Sequence, residues 1–227
     1  MDDSEAAPEE FMAQLDRADR DALSERARTR RWPAGASLFL EGERSSSVLV
    51  VVSGRVKVFS LTEHGEEILL AVRGPGALLG DMSAVDGAPR SATVAALEPV
   101  VALVVATPVF VDYLSSRGTA AMVLIRLITQ RLRDSDRKRV EFAAFDTSAR
   151  VARRLVELAE RFGEPEAGGV RITVALSQDE LAGWVGASRE AVAKALRTLR
   201  ERGFLTTGRR TMTVLDLDGL RKRGGGL

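Results

Sequence analysis

From Leu176 to Leu205 the run LSQDELAGWVGASREAVAKALRTLRERGFL leaves its backbone few alternatives. Ser177 followed three residues later by Glu180 is a capping box, in which the hydroxyl accepts a backbone N–H and the carboxylate returns to the cap. It starts a helix carrying Leu181, Trp184 and Val185. Gly186 and Ala187 break that helix, Ser188 caps again, and Val192, Ala195, Leu196 and Leu199 form the apolar stripe of a second one. Helix, short glycine-containing turn, helix is the helix-turn-helix pattern. With the stripe buried, Arg189, Glu190, Ala193, Lys194 and Arg197 face outward from the first two turns, the part of such a helix that reaches base edges. Arginine can hold O6 and N7 of guanine with two hydrogen bonds, glutamate can accept from the cytosine amino group, and lysine can reach guanine or phosphate. An ordinary charged surface helix has similar residues; two caps in series distinguish the DNA-reading arrangement.

Downstream, GFLTTGRRTMTVLDL has two β-rich runs around Gly208, Arg209 and Arg210. This predicts a hairpin with two cations at its tip, a wing that touches sugar–phosphate rather than bases. The charge balance agrees. Before Asp146 there are 18 basic and 21 acidic residues, from there on 15 and 11, so the C-terminal part alone suits a polyanion.

Upstream the texture differs. From Ser37 to Val105 come short apolar or alternating runs separated by glycines, the pattern of an all-β roll or barrel. Within it VLVVVSGRVKVF predicts two strands meeting in a hairpin at Ser53 and Gly54. Phe11, Leu15, Ala18, Ala22 and Leu23 recur at helical spacing and predict short surface helices that form a lid or packing arm. Thr107 offers an N-cap and Pro108 a first helical position, with a pause at Ser115 to Gly118. The helix resumes from Thr119 to Phe142. Its residues Ala121, Ile125, Ile128, Leu132, Ser135, Arg139 and Phe142 alternate spacings of four and three, as in a coiled-coil seam, while Met122, Val123, Leu124 and Leu127 are left to pack on the roll. A core helix within one monomer is the alternative to a homodimer seam. The turn to polar residues at Ser135 and Arg139 points to a pocket at the seam. After it, Ala149 to Phe162 reads as a helix and GEPEAGG as a surface turn.

The fold class is therefore α+β. The expected domains are 1–118, a β-roll with N-terminal helices; 119–145, the dimerisation helix and hinge; and 146–227, a winged helix-turn-helix. From about Trp32 to Leu217 this order resembles the Crp/Fnr superfamily of cyclic-AMP receptor proteins and their relatives, and VGASREAV is similar to that family's recognition-helix signature. The resemblance implies a DNA-binding transcription regulator, not an enzyme, in which Arg189, Glu190 and Lys194 take the base-reading positions. Ser188, Arg197, Arg209 and Arg210 complete the expected DNA contacts. It implies a palindromic site with half-sites resembling TGTGA, and names RNA polymerase as a candidate partner.

The segment GDMSAVDGAPRSATV resembles the same family's phosphate-binding cassette. Arg90 supplies a fork of donors for a phosphate and Ser91 a hydroxyl; Gly80, Met82 and neighbouring N–H groups complete the nest, and Asp81 can accept from a ribose hydroxyl. The family usually has glutamate where this chain has Asp81. Ser135 and Asp136 fall where the cyclic-AMP binders place hydroxyls or small amides against the base. A carboxylate there accepts from the adenine amino group, accepts from paired guanine N–H groups, or disfavours nucleotide altogether. The effector expected is thus cyclic AMP or cyclic GMP, with a degenerate, ligand-independent regulator as the alternative. A nucleotide-binding regulatory subunit of an enzyme or channel fits VGASREAV poorly.

The chain has no cysteine, which removes disulfides, thiol nucleophiles and cysteine-ligated clusters. His64, the single histidine, sits in the turn TEHGEE as a solvated loop residue, so no metal site and no catalytic set is expected. MDDSEAAPEEF has no basic segment leading into an apolar core, and no apolar run approaches 18 residues, so the cytoplasm is the expected location and no membrane partner is foreseen.

Overall fold

The computed structural model describes residues 10–208 and 211–226. These fall into two compact units, one within Met1–Ser60 and Leu70–Asp134, the other within Leu61–Leu69 and Ser135–Leu227.

The first unit opens with α1 (Phe11–Gln14) and α2 (Arg17–Glu25). Strands β1 (Arg28–Trp32), β2 (Ser37–Phe39), β3 (Ser47–Ser53), β4 (Val56–Leu61), β5 (Glu67–Arg73) and β6 (Leu78–Leu79) follow. Then come α3 (Asp81–Asp86), β7 (Thr93–Ala96), β8 (Val100–Ala106), α4 (Thr107–Ser116) and α5 (Gly118–Ala144), which runs on into the second unit. The strands make two four-stranded sheets, ordered β1-β8-β3-β6 and β2-β7-β4-β5.

Strand β3 shows why its sequence is continuously apolar rather than alternating. Leu49 and Val51 point into the core between the sheets, with Trp32, Val56, Leu79 and Val94. Val48 and Val50 point the other way, into a second core with Leu78, Phe110, Tyr113 and the helices. A strand covered on both faces has no polar side to show. The predicted β3–β4 hairpin is corrected by this arrangement: β3 is paired on both edges, by β8 and β6, so β4 has no edge to join and crosses to the other sheet beside β7. Gly54 does take a left-handed φ of 81°, and a Cβ there would collide with the Pro99 carbonyl. The turn chemistry was local and correct, while the pairing was decided by strands distant in sequence.

The N-terminal helices are more than surface elements. Phe11, Met12, Leu15, Ala22 and Leu23 are buried in the second core. Asp19 on α2, 2% exposed, accepts from Arg117 Nη1 at 2.8 Å and from the Thr119 hydroxyl, so α2 is tied to the start of α5. Those contacts, the Thr119 hydroxyl foremost, hold its carboxyl below the ordinary range. Thr107 is not the cap of α4: Ala106 holds that position, Pro108 lies in the first turn as expected, and the Thr107 hydroxyl pairs with Ser45.

On α5 the apolar residues divide as two faces. Ala120, Val123, Leu124 and Leu127 are buried in the second core, whereas Met122, Ile125, Ile128 and Leu132 are exposed.

The second unit adds α6 (Thr147–Phe162), β9 (Gly163–Glu166), β10 (Gly169–Ile172), α7 (Gln178–Val185), α8 (Arg189–Glu201), β11 (Leu205–Gly208), β12 (Thr211–Val214) and α9 (Leu217–Arg223). GEPEAGG is therefore more than a surface turn, since its ends form the paired strands β9 and β10. The sheet order is β11-β12-β10-β9. Asp146 caps α6 by accepting from the Ala149 N–H at 2.7 Å; α6 packs on α7, α8 and α9, and its Val151, Leu155 and Leu158 are buried.

Candidate effector pocket and nucleic-acid interface

In the first unit the cassette turns on Gly80, whose φ of 77° lies in the left-handed region that favours glycine. Arg90 is 5% exposed. Its Nη1 donates to the Gly80 carbonyl at 3.0 Å, its Nη2 donates to the Ser47 carbonyl, and its guanidinium lies 4.2 Å from the centre of the Phe39 ring. A Cβ on Gly80 would strike that guanidinium. The Arg90 backbone also anchors the neighbouring loop, accepting from Gly42 N–H at 2.9 Å and donating to the Glu43 carbonyl at 2.8 Å. Burial lowers the Arg90 pKa, with the charges of Glu43 and Asp81 opposing. The result is a desolvated cation held by two carbonyls and a ring, which an anion can engage only in competition with the carboxylates of Glu43 and Asp81.

Asp81 begins α3 and is 2% exposed. Both its oxygens accept from Arg131 Nη1, at 2.9 and 3.1 Å, and Arg131 Nη2 donates to the Leu78 carbonyl at 2.9 Å. A ribose hydroxyl would therefore share Asp81 with a cation from α5. Sequence reasoning missed Arg131, although it lies four residues beyond Leu127 and so extends the face that α5 turns toward the roll. Met82 and Ser91 are exposed in the same segment. Ser135 and Asp136 are exposed residues of α5 within the second unit, where the Asp136 carboxylate lies 3.6 Å from Arg139.

In the second unit both predicted caps form. The Ser177 hydroxyl accepts from Glu180 N–H at 3.1 Å while Glu180 accepts from Ser177 N–H at 2.8 Å. Gly186 ends α7 in a left-handed conformation, and the Ser188 hydroxyl accepts from Ala191 N–H at 3.2 Å to start α8. Val192, Ala195, Leu196 and Leu199 are buried, and Arg189, Glu190, Lys194 and Arg197 are exposed on the opposite face. Glu190 is held below the ordinary carboxylate range by its own backbone N–H and the Ser188 hydroxyl. Arg189 lies 3.7 Å from Asp179 of α7, a loose exposed pair that a nucleic acid can outcompete. Arg200 donates to the Thr207 hydroxyl at 2.9 Å, tying α8 to β11. The strands on either side of the expected wing tip are paired through Gly208 and Thr211, while Arg209 and Arg210 lie outside the described residues.

Among the described residues no group of three or more His, Asp or Glu side chains is placed to hold a metal, and no helix is long and apolar enough to cross a membrane.

Residues 29–117 match the model of the cyclic nucleotide-binding domain, and residues 149–223 that of the Crp-like helix-turn-helix domain. A CRP-like cAMP-activated global transcriptional regulator of Mycobacterium tuberculosis is 32% identical over 89% of this chain and 90% of its own. A cyclic AMP receptor protein of Thermus thermophilus is 31% identical over 82% of each. Among solved structures, a CRP-family transcriptional regulator of the same organism superimposes with a TM-score of 0.74 at 25% identity, over 87% of this chain and 97% of that one.

Proposed function

The chain belongs to the Crp/Fnr family of DNA-binding transcription regulators, and on that premise we propose that it acts as a cytoplasmic homodimer whose roll takes a cyclic purine nucleotide and whose α8 helices read a palindromic site. One observation carries the DNA half: α8 is buried on Val192, Ala195, Leu196 and Leu199 and offers Arg189, Glu190, Lys194 and Arg197 on its open side. A two-fold dimer presents two such helices about one helical turn apart, which requires two half-sites at that spacing. Half-sites resembling TGTGA follow from the recognition-helix signature. The exposed row Ile125, Ile128 and Leu132 is the surface on which the dimer forms. Arg209 and Arg210, which the sequence assigns to phosphate contacts, keep that role in this reading.

Selection from random duplexes tests this reading. The wild type is expected to enrich a two-fold-symmetric sequence, and Arg189→Ala to lose about 1–3 kcal/mol and relax at one guanine. An asymmetric motif, or full discrimination by Arg189→Ala, overturns it.

For the roll, the buried Arg90 cation supports an anionic effector, and the names of the Mycobacterium and Thermus relatives favour cyclic AMP. Arg90 and Ser91 take the phosphate, with Gly80, Asp81 and Met82 lining the cassette; Ser135 and Asp136 face the base and set its identity. A second reading, a regulator with no effector, is favoured by one observation: Arg90 and Asp81 are already satisfied by Gly80, Ser47 and Arg131. Calorimetric titration of cyclic AMP and cyclic GMP into wild type and Asp136→Ser separates the two. Binding with a changed affinity ratio in the variant supports the nucleotide pocket; no heat at millimolar nucleotide supports the second reading.

A further inference from the structure

Seam spacing assigns Phe142 to the dimer contact, yet its ring lies against the turn of the helix-turn-helix. A Cβ on Gly186 would come within 2.5 Å of Phe142 Cε1, so the turn backbone rests directly on the ring. Gly186 meets both demands of that position, a φ of 59° and the absence of a side chain. Arg150, from the first turns of α6, closes the contact from the other side. Its guanidinium lies 5.3 Å from the ring centre, Nη1 donates to the Phe142 carbonyl at 3.2 Å, and Nη2 donates to the Gly186 carbonyl at 3.4 Å. The last turns of α5 are themselves fixed. Glu141, 9% exposed, accepts from Arg153 Nη1 at 2.9 Å and from Arg154 Nη2.

We propose that Phe142 and Arg150 are positioning residues for DNA recognition: they brace the α7–α8 turn against the end of α5 and so set the direction in which α8 leaves it. The turn immediately precedes Ser188, the cap from which Arg189 and Glu190 project. Arg197 lies about 13.5 Å along the helix from that cap at 1.5 Å per residue. A tilt of about ten degrees at the turn displaces it by about 2 Å, more than a hydrogen bond to a base edge tolerates. Removing the ring therefore costs sequence discrimination before it costs the fold, because α8 keeps its buried stripe. The inference rests on α8 being the DNA-reading helix only for its consequence, since the brace itself is a contact within the second unit.

The test uses the full-length protein as Phe142→Ala, Phe142→Leu and Arg150→Gln, with two readouts. The first is amide hydrogen exchange at Gly186 and Ala187, both of which donate to the Ala182 carbonyl. Exchange there is expected to quicken about three- to thirtyfold in Phe142→Ala and Arg150→Gln and to return toward wild type in Phe142→Leu. The second is the ratio of affinities for the selected site and for unrelated duplex. It is expected to fall by a similar factor, while the salt slope, which counts phosphate contacts, stays as in wild type. Unaltered turn exchange in Phe142→Ala overturns the brace, and so does loss of the dimer by light scattering without faster exchange, which returns Phe142 to the seam. If the wild type has no preferred site, the DNA-reading assignment of α8 fails, and the exchange arm still decides whether the brace exists.

Discussion

Replacing Arg131 by methionine keeps the unbranched apolar stem of the side chain while removing the guanidinium, its charge and all its donors. The structure fixes the scale of the consequence. Asp81 has a side chain 3% exposed and receives two hydrogen bonds from Arg131; the Leu78 carbonyl receives a third. Removing one member of a buried pair strands the other, at a cost of about 3–5 kcal/mol. Asp81→Asn is milder, because Arg131 is 24% exposed, reaches water and keeps the Leu78 carbonyl, so about 1–3 kcal/mol is expected. The double variant should then cost less than the sum of the two, with a coupling of about 1–3 kcal/mol. The two tryptophans make the assay selective, since Trp32 sits in the roll core and Trp184 in the second unit. In a Trp184→Phe background, urea unfolding followed by Trp32 emission reports on the first unit alone, and all variants share that background. If Arg131→Met lowers stability by less than about 1 kcal/mol, or the two single costs simply add, the pair is not a buried, mutually dependent one. Arg131→Lys should fall between, because an ammonium cannot span a carboxylate and a carbonyl with one planar fork.

Two further perturbations test the frame around that site. Ile128→Asp places a charge on the exposed row of α5, and light scattering should show the protein shifted to monomer at concentrations where the wild type is dimeric; an unaltered dimer refutes the seam. Asp19→Asn should cost about 1.5–3 kcal/mol at neutral pH by weakening the tie to Thr119 and Arg117. Because the folded-state pKa of Asp19 is depressed, its contribution is complete above about pH 4 and is lost as pH falls through the folded value. Unfolding curves of wild type and variant should therefore converge in acid, and a deficit that persists unchanged there counts against the carboxylate as its source.

What the sequence disclosed and what it hid divides along the range of the interaction. The caps of α7 and α8 are contacts between residues three apart, and Ser177, Glu180, Ser188 and Gly186 all appear in the positions predicted. The same local chemistry at Gly54 yields the correct left-handed backbone but the wrong partner for β3, because β6 and β8 compete for its edges from far along the chain. Apolar run length carries the missing signal: VLVVV is too uniformly hydrophobic for a hairpin strand with a solvent face.

Charged residues were the harder case. Arg131 stands in RLRDSDRKR, where composition suggests a solvated helix face, and only its offset of four from Leu127 marks it as inward. Its partner Asp81 reads from the sequence as an acceptor for a sugar hydroxyl, and nothing in the local pattern joins residues fifty positions apart into a pair. Phe142 poses the same problem in apolar form. A period of four and three establishes that residues share a face of a helix, not what that face meets, and on α5 the answer changes along its length. At Ile125 and Ile128 the row is open, and at Phe142, whose ring stays half exposed, one edge of it meets Gly186. From the sequence Gly186 reads as a helix breaker, a role any residue tolerant of positive φ can fill. The ring beside it explains the stricter requirement for glycine, since asparagine would satisfy the dihedral angle and still drive its Cβ into Phe142.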